Sequence, residues 1–503
     1  MDSFKIKKIR RTKIIITSVF TLLTLVMNAQ ELIQAGKYDD LMSAPEIAIA
    51  GGGTLMDWAN MKFYKERNEK LISHKSTELK KNKDLLISII LNTNWIDYNT
   101  IIEMSNDELK KLLIKELIKR TNESVYKLNN KTKLELASFC LAYTFLKTAS
   151  IKSESELKEM SFIDIRNSII IENTKNLDQD ISTLQTFTTK KLVQLGYSWY
   201  LPKKFNSLIS FDIVENSSSS LCSKFQLKDN LKRRMDVLKI VKTNEILNNS
   251  FVYLAVYHVE ISKNNFNLQL AGSNDLFEWK FITEIDQDAH QGDIVKWDNG
   301  YLIAYEEDKI KGSNNIALKY YTNYENLISN NSAYEKHLNT SIHSFGVEGT
   351  PDIRGFTGKN PTNGSVLIGF HYHNGSIDKL AMGILQNGNY WTAWKNSLAE
   401  INLRDMNIMG NIGSRKSFNY RGESLTLQEA RFIKNDWSTW KIMLGLNGYY
   451  SEVKISTPKK STSFANPSII EIENNKYAIS LFVPSEGNHY RENNGSVIFL
   501  KNK

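Results

Sequence analysis

The sequence predicts an α+β protein of several domains, in which an N-terminal α-helical repeat domain precedes an all-β five-bladed propeller. In the second half, a tight turn leads into an alternating strand four times, at intervals of 54 to 65 residues, near 298, 363, 420 and 474. Short strands repeated at such intervals are typical of propeller blades. In the first half, a Ser or Thr precedes an apolar helical pattern four times, at spacings of 27, 29 and 27 residues.

Residues 1–29 have the layout of a secretory signal peptide. A start rich in Lys and Arg precedes an apolar run over Ile14–Met27, and small or polar residues follow it. The run is shorter than the roughly 20 residues that a spanning helix needs. We therefore expect cleavage after Ala29, a secreted or periplasmic location, and no membrane span in the mature chain. An uncleaved membrane anchor is the alternative.

Composition indicates a globular protein and excludes some function classes. Of 503 residues, 41% are hydrophobic and 24% are charged, which suits two or three folded domains. The net charge is +9, but the first 30 residues carry +5, so the rest carries 9 − 5 = +4 and predicts no nucleic-acid partner. Cys140 and Cys222 are expected to be unpaired, and we predict no metal and no cofactor. The Lys-, Asn- and Ile-rich composition suggests a bacterial source.

Residues 30–202 are predicted to form the helical repeat domain. A hydroxyl side chain suits the N-cap position because it accepts a hydrogen bond from a free amide of the first helical turn. The four predicted capping residues are Ser105, Thr132, Ser161 and Thr188. Four stacked helix-turn-helix units follow from this pattern. They could contact a protein partner, or they could serve only as a packing or spacer module.

Residues 203–233 are predicted to be a linker, because they contain the polar run Ser217–Ser220. Beyond it, residues 234–503 have the pattern of strands. The 269 residues from 235 onward, divided by five, allow about 54 per blade, which is a normal size for four strands. Six blades would fit the turn spacing less well. The run Ser496–Leu500 is predicted to be a strand that could close the ring.

The starts of the innermost strands are the predicted functional positions, because these strands line the channel and begin at the mouth where ligands bind. The predicted starts are 234–236, 290–294, 348–353, 413–415 and 465–469. Three of them carry carboxylates. Asp236 and Asp293 lie 57 residues apart, and Asp293 and Asp352 lie 59 apart. Acids at the same place in successive blades would converge on one pocket.

Several motifs over about 235–503 resemble the five-bladed propeller glycoside hydrolases of family 43 and its relatives. Residues 273–279 are similar to the family's Ser-x-Asp-Leu-x-x-Trp strand ending, and residues 298–301 are similar to its Asp-Gly-x-Tyr strand start. Glu348 and Gly349 resemble the Glu-Gly-Pro motif that holds the general acid, although Thr350 is inserted before the proline. The resemblance leaves the helical half unexplained.

The resemblance implies two-carboxylate acid/base chemistry, in which a base and an acid flank the scissile bond. It assigns Asp236 as the base, Glu348 as the acid and Asp293 as the residue that modulates the acid. Asp352 competes with Glu348 for the acid role. Asp236 could instead form a surface ion pair, and Asp293 or Asp352 could bond backbone amides of a neighbouring blade.

Four further residues are predicted to bind substrate: His290, Asp352, Arg354 and Arg415. His290 could bind a sugar hydroxyl or help to hold an axial ion. Either Arg could bind a uronic acid carboxylate or form a structural ion pair. Trp437 and Trp440, three residues apart like Trp391 and Trp394, could stack on sugars or pack between blades.

The predicted function is therefore carbohydrate processing by an exported protein, most simply hydrolysis of a glycosidic bond in an oligo- or polysaccharide. The alternative is a non-catalytic glycan-binding or surface interaction protein that keeps the propeller without its chemistry.

Overall fold

The computed structural model describes residues 83–93, 101, 104–214, 222–243, 250–310, 313–342, 347–373, 376–473 and 476–502. The predicted signal peptide, residues 30–82 and the run Ser217–Ser220 lie outside these ranges. In the part of the chain that is described, no helix combines the length and the apolar character needed to cross a membrane.

The described part of the first half is helical, and long helices alternate with helices of five residues. Residues 83–93 are helical and form α1. The others are α2 (Asn106–Arg120), α3 (Val125–Asn129), α4 (Lys133–Thr148), α5 (Glu154–Lys158), α6 (Phe162–Asn176), α7 (Ile181–Gln185), α8 (Thr189–Lys204) and α9 (Asn206–Ile209). Two further helices, α10 (Tyr324–Ile328) and α11 (Ser397–Arg404), lie within the second half.

All four predicted capping residues precede the long helices α2, α4, α6 and α8. Each hydroxyl accepts a hydrogen bond from the amide three residues later, at 3.2–3.3 Å. Ser105, Thr132 and Ser161 also form reciprocal capping boxes with the acid at that position. The predicted helix starts are confirmed, whereas a separate helical repeat domain stays a prediction.

The helices and blade IV of the propeller share a hydrophobic cluster, and residues 82–503 form one compact unit. Tyr197 of α8 stacks on Tyr449, with ring centroids 4.3 Å apart. Lys204 forms an ion pair with Glu423 at 2.9 Å. The segment predicted as a linker contributes α9 and two short strands, β1 (Ser210–Asp212) and β2 (Ser223–Lys224).

The second half is confirmed as a five-bladed propeller of four-stranded antiparallel sheets. Blade I is β3 (Asp236–Lys242), β4 (Tyr253–Ser262), β5 (Asn265–Ser273) and β6 (Lys280–Asp286); blade II is β7 (Ala289–Trp297), β8 (Gly300–Ile310), β9 (Ser313–Tyr321) and β10 (Tyr334–His337). Blade III is β11 (Glu348–Thr357), β12 (Ser365–His373), β13 (Asp378–Gln386) and β14 (Tyr390–Lys395); blade IV is β15 (Ile412–Tyr420), β16 (Glu423–Arg431), β17 (Trp440–Leu446) and β18 (Tyr449–Glu452). Then come β19 (Lys454–Ser456), which pairs with β1, and blade V: β20 (Ala465–Glu473), β21 (Lys476–Val483) and β22 (Gly495–Asn502).

Blade V takes its fourth strand from the chain that precedes blade I. Its strand order is β2-β22-β21-β20, and Ser223 of β2 pairs with Phe499 of β22. The predicted closing strand Ser496–Leu500 lies inside β22, and β2 completes the ring by pairing with it. The innermost strands β3, β7, β11, β15 and β20 each contact the next, and β20 contacts β3.

Candidate functional site

The mouth of the propeller is formed by the starts of the innermost strands together with the loops that join the second and third strand of each blade. All five predicted starts lie at the beginning of β3, β7, β11, β15 or β20. Near the start of each of these strands, the pairing advances by three residues on the innermost strand and by two on the second strand of the blade. This extra residue marks a β-bulge. The bulges define equivalent positions around the ring.

These bulges correct the predicted alignment of the acids. Asp293 and Asp352 are equivalent, since each follows its bulge. Asp236 precedes its bulge and is therefore equivalent to His290, while Lys239 occupies the position of Asp293 in blade I. The expectation that Asp236 and Asp293 occupy the same place was wrong by three residues, because sequence spacing does not reveal where strand pairing shifts.

The ring position after the bulge carries a buried ionisable side chain in four of the five blades: Lys239, Asp293, Asp352 and Arg415. Asp293 is 0% exposed and accepts hydrogen bonds from Lys416 Nζ at 2.5 Å and from the Ile353 amide at 2.9 Å. Lys239 Nζ donates to Ser414 Oγ at 3.1 Å. Burial lowers the pKa of Lys239 to about 8, and the nearby Asp293 opposes that shift. Asp293 of blade II is thus tied to blade IV by an ion pair with Lys416 and to blade III by the hydrogen bond from the Ile353 amide.

The fully buried Asp352 pairs with the half-buried Arg354, whose Nε lies 3.1 Å from Asp352 Oδ2. The amide and hydroxyl of Ser417 also donate to Asp352, at 3.0 and 2.8 Å. Burial by itself would raise the pKa of Asp352, but Arg354, Lys416 and other cations lower it below the usual value. For Arg354, the structure therefore contains the ion pair that the sequence left as an alternative to substrate binding.

Arg415 is 0% exposed, and its guanidinium is only partly satisfied. Nη2 donates to the Gly413 carbonyl at 3.2 Å, whereas Nε and Nη1 have no hydrogen-bond partner among the described residues. Burial lowers its pKa to about 10. Arg415 follows the bulge of blade IV, so it is equivalent to Asp293 in blade II and Asp352 in blade III.

Asp236 is buried at the mouth, and only one of its carboxylate oxygens is engaged. Arg234 Nη2 lies 3.1 Å from Oδ2, whereas Oδ1 has no partner among the described residues. Burial raises the pKa of Asp236 to about 6, although Arg234 lowers it in part. Its cross-strand neighbour His258 is kept neutral because burial lowers the imidazole pKa. Asp236 can thus exchange a proton near neutral pH.

Glu348, the first residue of β11, is buried and held by the preceding loop. The amides of Ser341 and Ile342 both donate to Oε1, at 2.8 and 2.7 Å. The next residue, Gly349, lies so close to Glu306 that an added Cβ would be 2.0 Å from Oε2. Glu348 therefore has a defined orientation beside the acids of blade II.

His290 forms a cluster with two acids of β8 that the sequence analysis did not identify. His290 Nε2 lies 2.9 Å from Asp308 and 3.5 Å from Glu306. Burial lowers the pKa of His290, but the two acids raise it above the usual value overall. One nitrogen and two carboxylate oxygens lie within 4.8 Å of one another, so these residues could hold a divalent metal ion. Asn314 Nδ2 bonds both carboxylates, which satisfies them without an ion.

Glu429 of β16 is a third acid that sequence reasoning missed. Its oxygens accept from the amides of Ser414, at 2.6 Å, and Asn466, at 2.5 Å. Burial raises its pKa to about 7. Glu306 likewise accepts from the Thr350 amide of the next blade, at 3.0 Å. Both acids lie near the end of the second strand of a blade, which is the signal that could have identified them.

The structure gathers the predicted residues into separate groups. Asp293 and Asp352 both interact with Lys416 at the axis, while Asp236 and His290 lie at the mouth in blades I and II. Asp236 and Asp293 share no hydrogen-bond partner among the described residues. The mouth therefore offers Asp236, Glu348 and the His290 cluster for chemistry, and the axis holds the buried charges of Lys239, Asp293, Asp352 and Arg415.

No protein-family model matches the sequence, and no curated protein matches it either. Among solved structures, the chain is similar to one described as a glycoside hydrolase, with 9% identity over 56% of this chain and 93% of that one, at a TM-score of 0.39. It is similar to a family 43 endo-arabinanase from Bacillus licheniformis, with 10% identity over 56% and 96%, at 0.35. It is also similar to a family 117 glycoside hydrolase from Zobellia galactanivorans, with 11% identity over 56% and 90%, at 0.34.

Proposed function

We propose that this chain is an exported carbohydrate-active protein whose propeller mouth hydrolyses a glycosidic bond in an oligo- or polysaccharide. The observation that carries the proposal is Asp236: a buried carboxylate at the mouth, with Oδ1 unpartnered and a pKa raised to about 6. Such a carboxylate is mostly ionised at pH 7 and is a stronger base than an ordinary aspartate. It therefore suits the activation of a water molecule.

Glu348 is the residue that we assign as general acid. The hydrogen bonds that two backbone amides donate to its Oε1 hold the carboxyl in one orientation. A group that donates a proton to a leaving oxygen requires such a fixed orientation. Asp293 acts from the axis, as a fixed negative charge balanced by Lys416. Hydrolysis would then proceed with Asp236 as base and Glu348 as acid on opposite sides of the anomeric carbon.

Glycan binding without hydrolysis is the second candidate function, and the state of Asp293 favours it. Its carboxylate is fully buried and neutralised by Lys416, so it cannot contact a sugar. If Asp293 has only a structural role in the ion pair with Lys416, the mouth of the propeller would bind a glycan without hydrolysing it. The two functions differ in whether the bound glycan is cleaved.

The test is release of reducing sugar from a panel of oligo- and polysaccharides by the full chain and by variants. Asp236→Asn and Glu348→Gln should each lower the rate by roughly 10²–10⁴-fold, the usual contribution of acid–base catalysis. Asp298→Asn is the matched control, because Asp298 is exposed in the turn at the far end of β7, and it should leave the rate unchanged. Wild-type protein that binds a glycan without releasing sugar would establish the second function. Protein that neither binds nor cleaves would overturn both.

Export and the helical region complete the proposal. Residues 1–29 serve as the signal peptide, and residues 30–202 form a helical repeat domain that could contact a protein partner. Mass spectrometry of the protein recovered from the medium or periplasm should find an N-terminal peptide that begins at Gln30, as glutamine or as the pyroglutamate that it forms by losing ammonia. A chain that still begins at Met1 would contradict the cleavage.

A further inference from the structure

Arg431, the last residue of β16, is a buried cation whose guanidinium has no hydrogen-bond partner in the part of the chain that is described. It is 5% exposed, its Nε is fully enclosed, and no described residue accepts a hydrogen bond from its guanidinium or forms an ion pair with it. Burying a guanidinium without acceptors is costly, so such residues usually pair with a carboxylate or a bound anion. The unused donors indicate a place for an anionic group.

The carboxylates nearest to Arg431 are engaged with other groups. Asp378, Glu429 and Asp436 act on Arg431 only through space. Asp378 bonds His373 and Asn411, and Asp436 caps the short helix that begins at Trp437. Glu429 accepts hydrogen bonds from the backbone amides of Ser414 and Asn466. These carboxylates thus leave the Nη groups of Arg431, which are not enclosed as Nε is, without an acceptor among the described residues.

Two tryptophans hold the Arg431 guanidinium in place. Its central carbon lies 5.6 Å from the centre of the Trp437 ring and 5.3 Å from that of Trp440. Trp440 is buried, whereas Trp437 is 51% exposed. Trp437 follows β16, so it lies in a loop at the mouth. An exposed indole beside a fixed cation suits a sugar ring with an anionic substituent.

The same region continues toward the channel. Glu429 lies two residues before Arg431, on the same face of β16, and binds the amide of Asn466 at the start of β20. Asn466 Oδ1 is buried and has no partner among the described residues. The hydrogen bond from the Asn466 amide to Glu429 thus connects blade V to blade IV beside Arg431.

We propose that Arg431 and Trp437 form a subsite for an anionic sugar residue, in which the guanidinium binds a carboxylate or sulfate and the indole stacks on the ring. The proposal rests on the proposed function, because it takes the mouth to be the glycan site. Uronic acids and sulfated sugars share the oxyanion that Arg431 would recognise. Their binding can be separated by experiment.

The test is calorimetric binding of three oligosaccharides matched in length: one with uronic acids, one with sulfate esters and one neutral. Wild-type protein should bind one of the anionic ligands at least 10-fold more tightly than the neutral one. Arg431→Met should remove that preference, and Trp437→Ala should weaken binding of the anionic ligand at least 10-fold. Arg421→Met is the matched control: Arg421 also lies over an aromatic ring, Tyr420 at 5.2 Å, but at the far end of the blade, so binding should not change.

The outcomes separate this proposal from the proposed function. Arg431→Met should keep the wild-type urea midpoint or raise it, since it removes an unpaired buried charge, and a lost preference is then not a folding defect. If Arg431→Met binds the anionic ligand as tightly as wild type, or wild type shows no preference, the subsite is overturned even where a glycan is cleaved. If wild type binds the anionic ligand through Arg431 but cleaves nothing, the subsite stands and hydrolysis fails.

Discussion

Replacing Lys416 with Met should destabilise the propeller, because it would leave the carboxylate of Asp293 buried without its cation. The two side chains come from blades IV and II and meet at 2.5 Å near the axis. Asp293 would keep only the Ile353 amide as a hydrogen-bond donor, at 2.9 Å. The substitution preserves the length and apolar stem of the lysine, so the lost charge is the main change.

The expected loss is about 3 kcal/mol in the free energy of unfolding, the lower end of the roughly 3–5 kcal/mol typical of a broken buried pair. The lower end applies because Lys239 also interacts with Asp293 and remains. The double variant Asp293→Asn, Lys416→Met removes both charges of the broken pair, so part of the loss should be recovered; Lys239 stays buried without the Asp293 charge, which keeps the recovery incomplete.

Urea unfolding followed by tryptophan fluorescence measures these differences. Lys175→Met is the control, since Lys175 pairs with Glu172 at 2.6 Å on the surface, with 61% of the lysine side chain exposed. It should cost less than about 1 kcal/mol. A Lys416→Met variant as stable as this control would refute the reasoning, and so would a double variant no more stable than Lys416→Met alone.

Three further predictions concern proton uptake, capping and metal. The pKa of Asp236 is raised to about 6 by burial, so the folded protein holds this proton to higher pH than the unfolded chain does. Relative to Asp236→Asn, the free energy of unfolding of the wild type should fall by roughly 2–3 kcal/mol as the pH rises from about 4 to about 6, at about 1.36 kcal/mol per pH unit. Urea unfolding at a series of pH values measures this, and curves of stability against pH that run parallel for the two proteins would contradict it. Ser161→Ala removes the N-cap of α6 and should cost about 1 kcal/mol in urea unfolding, whereas Ser182→Ala, which removes no N-cap, should cost less. Because His290, Asn314 and the Thr350 amide already bond Glu306 and Asp308, EDTA should leave the thermal midpoint unchanged; a drop that Mn²⁺ or Zn²⁺ reverses, and that is absent in Asp308→Asn, would show a bound ion.

Much of the architecture was predictable because it depends on local patterns. The turn at Asp298 and the alternating strand after it mark a hairpin wherever it lies in the ring. An N-cap such as Ser161 needs only the amide three residues later. The five starts of the innermost strands followed from the same repeats.

The site was less predictable, because its geometry depends on pairing between strands. The bulge after Asp236 moves it out of line with Asp293, and nothing in the spacing of 57 residues shows this. Sequence reasoning missed Glu306 and Glu429 because each accepts a hydrogen bond from a backbone amide in the bulge of the next blade. That contact depends on how the blades pack and not on a sequence motif. From the sequence, Arg354 could either bind substrate or form an ion pair. Only the structure shows that Asp352 lies close enough to pair with it.

The sequence by itself determined the helix starts and their caps, because residues a few positions apart specify them. It also determined the number of blades and the starts of the innermost strands, because the same local pattern recurs every 54 to 65 residues. Only the tertiary structure decided which charges meet. Asp293 and Lys416 are 123 residues apart and become partners because the ring closes around its axis. Closure buries Asp293 in an ion pair, leaves Oδ1 of Asp236 without a partner among the described residues, and places Arg431 between two tryptophans.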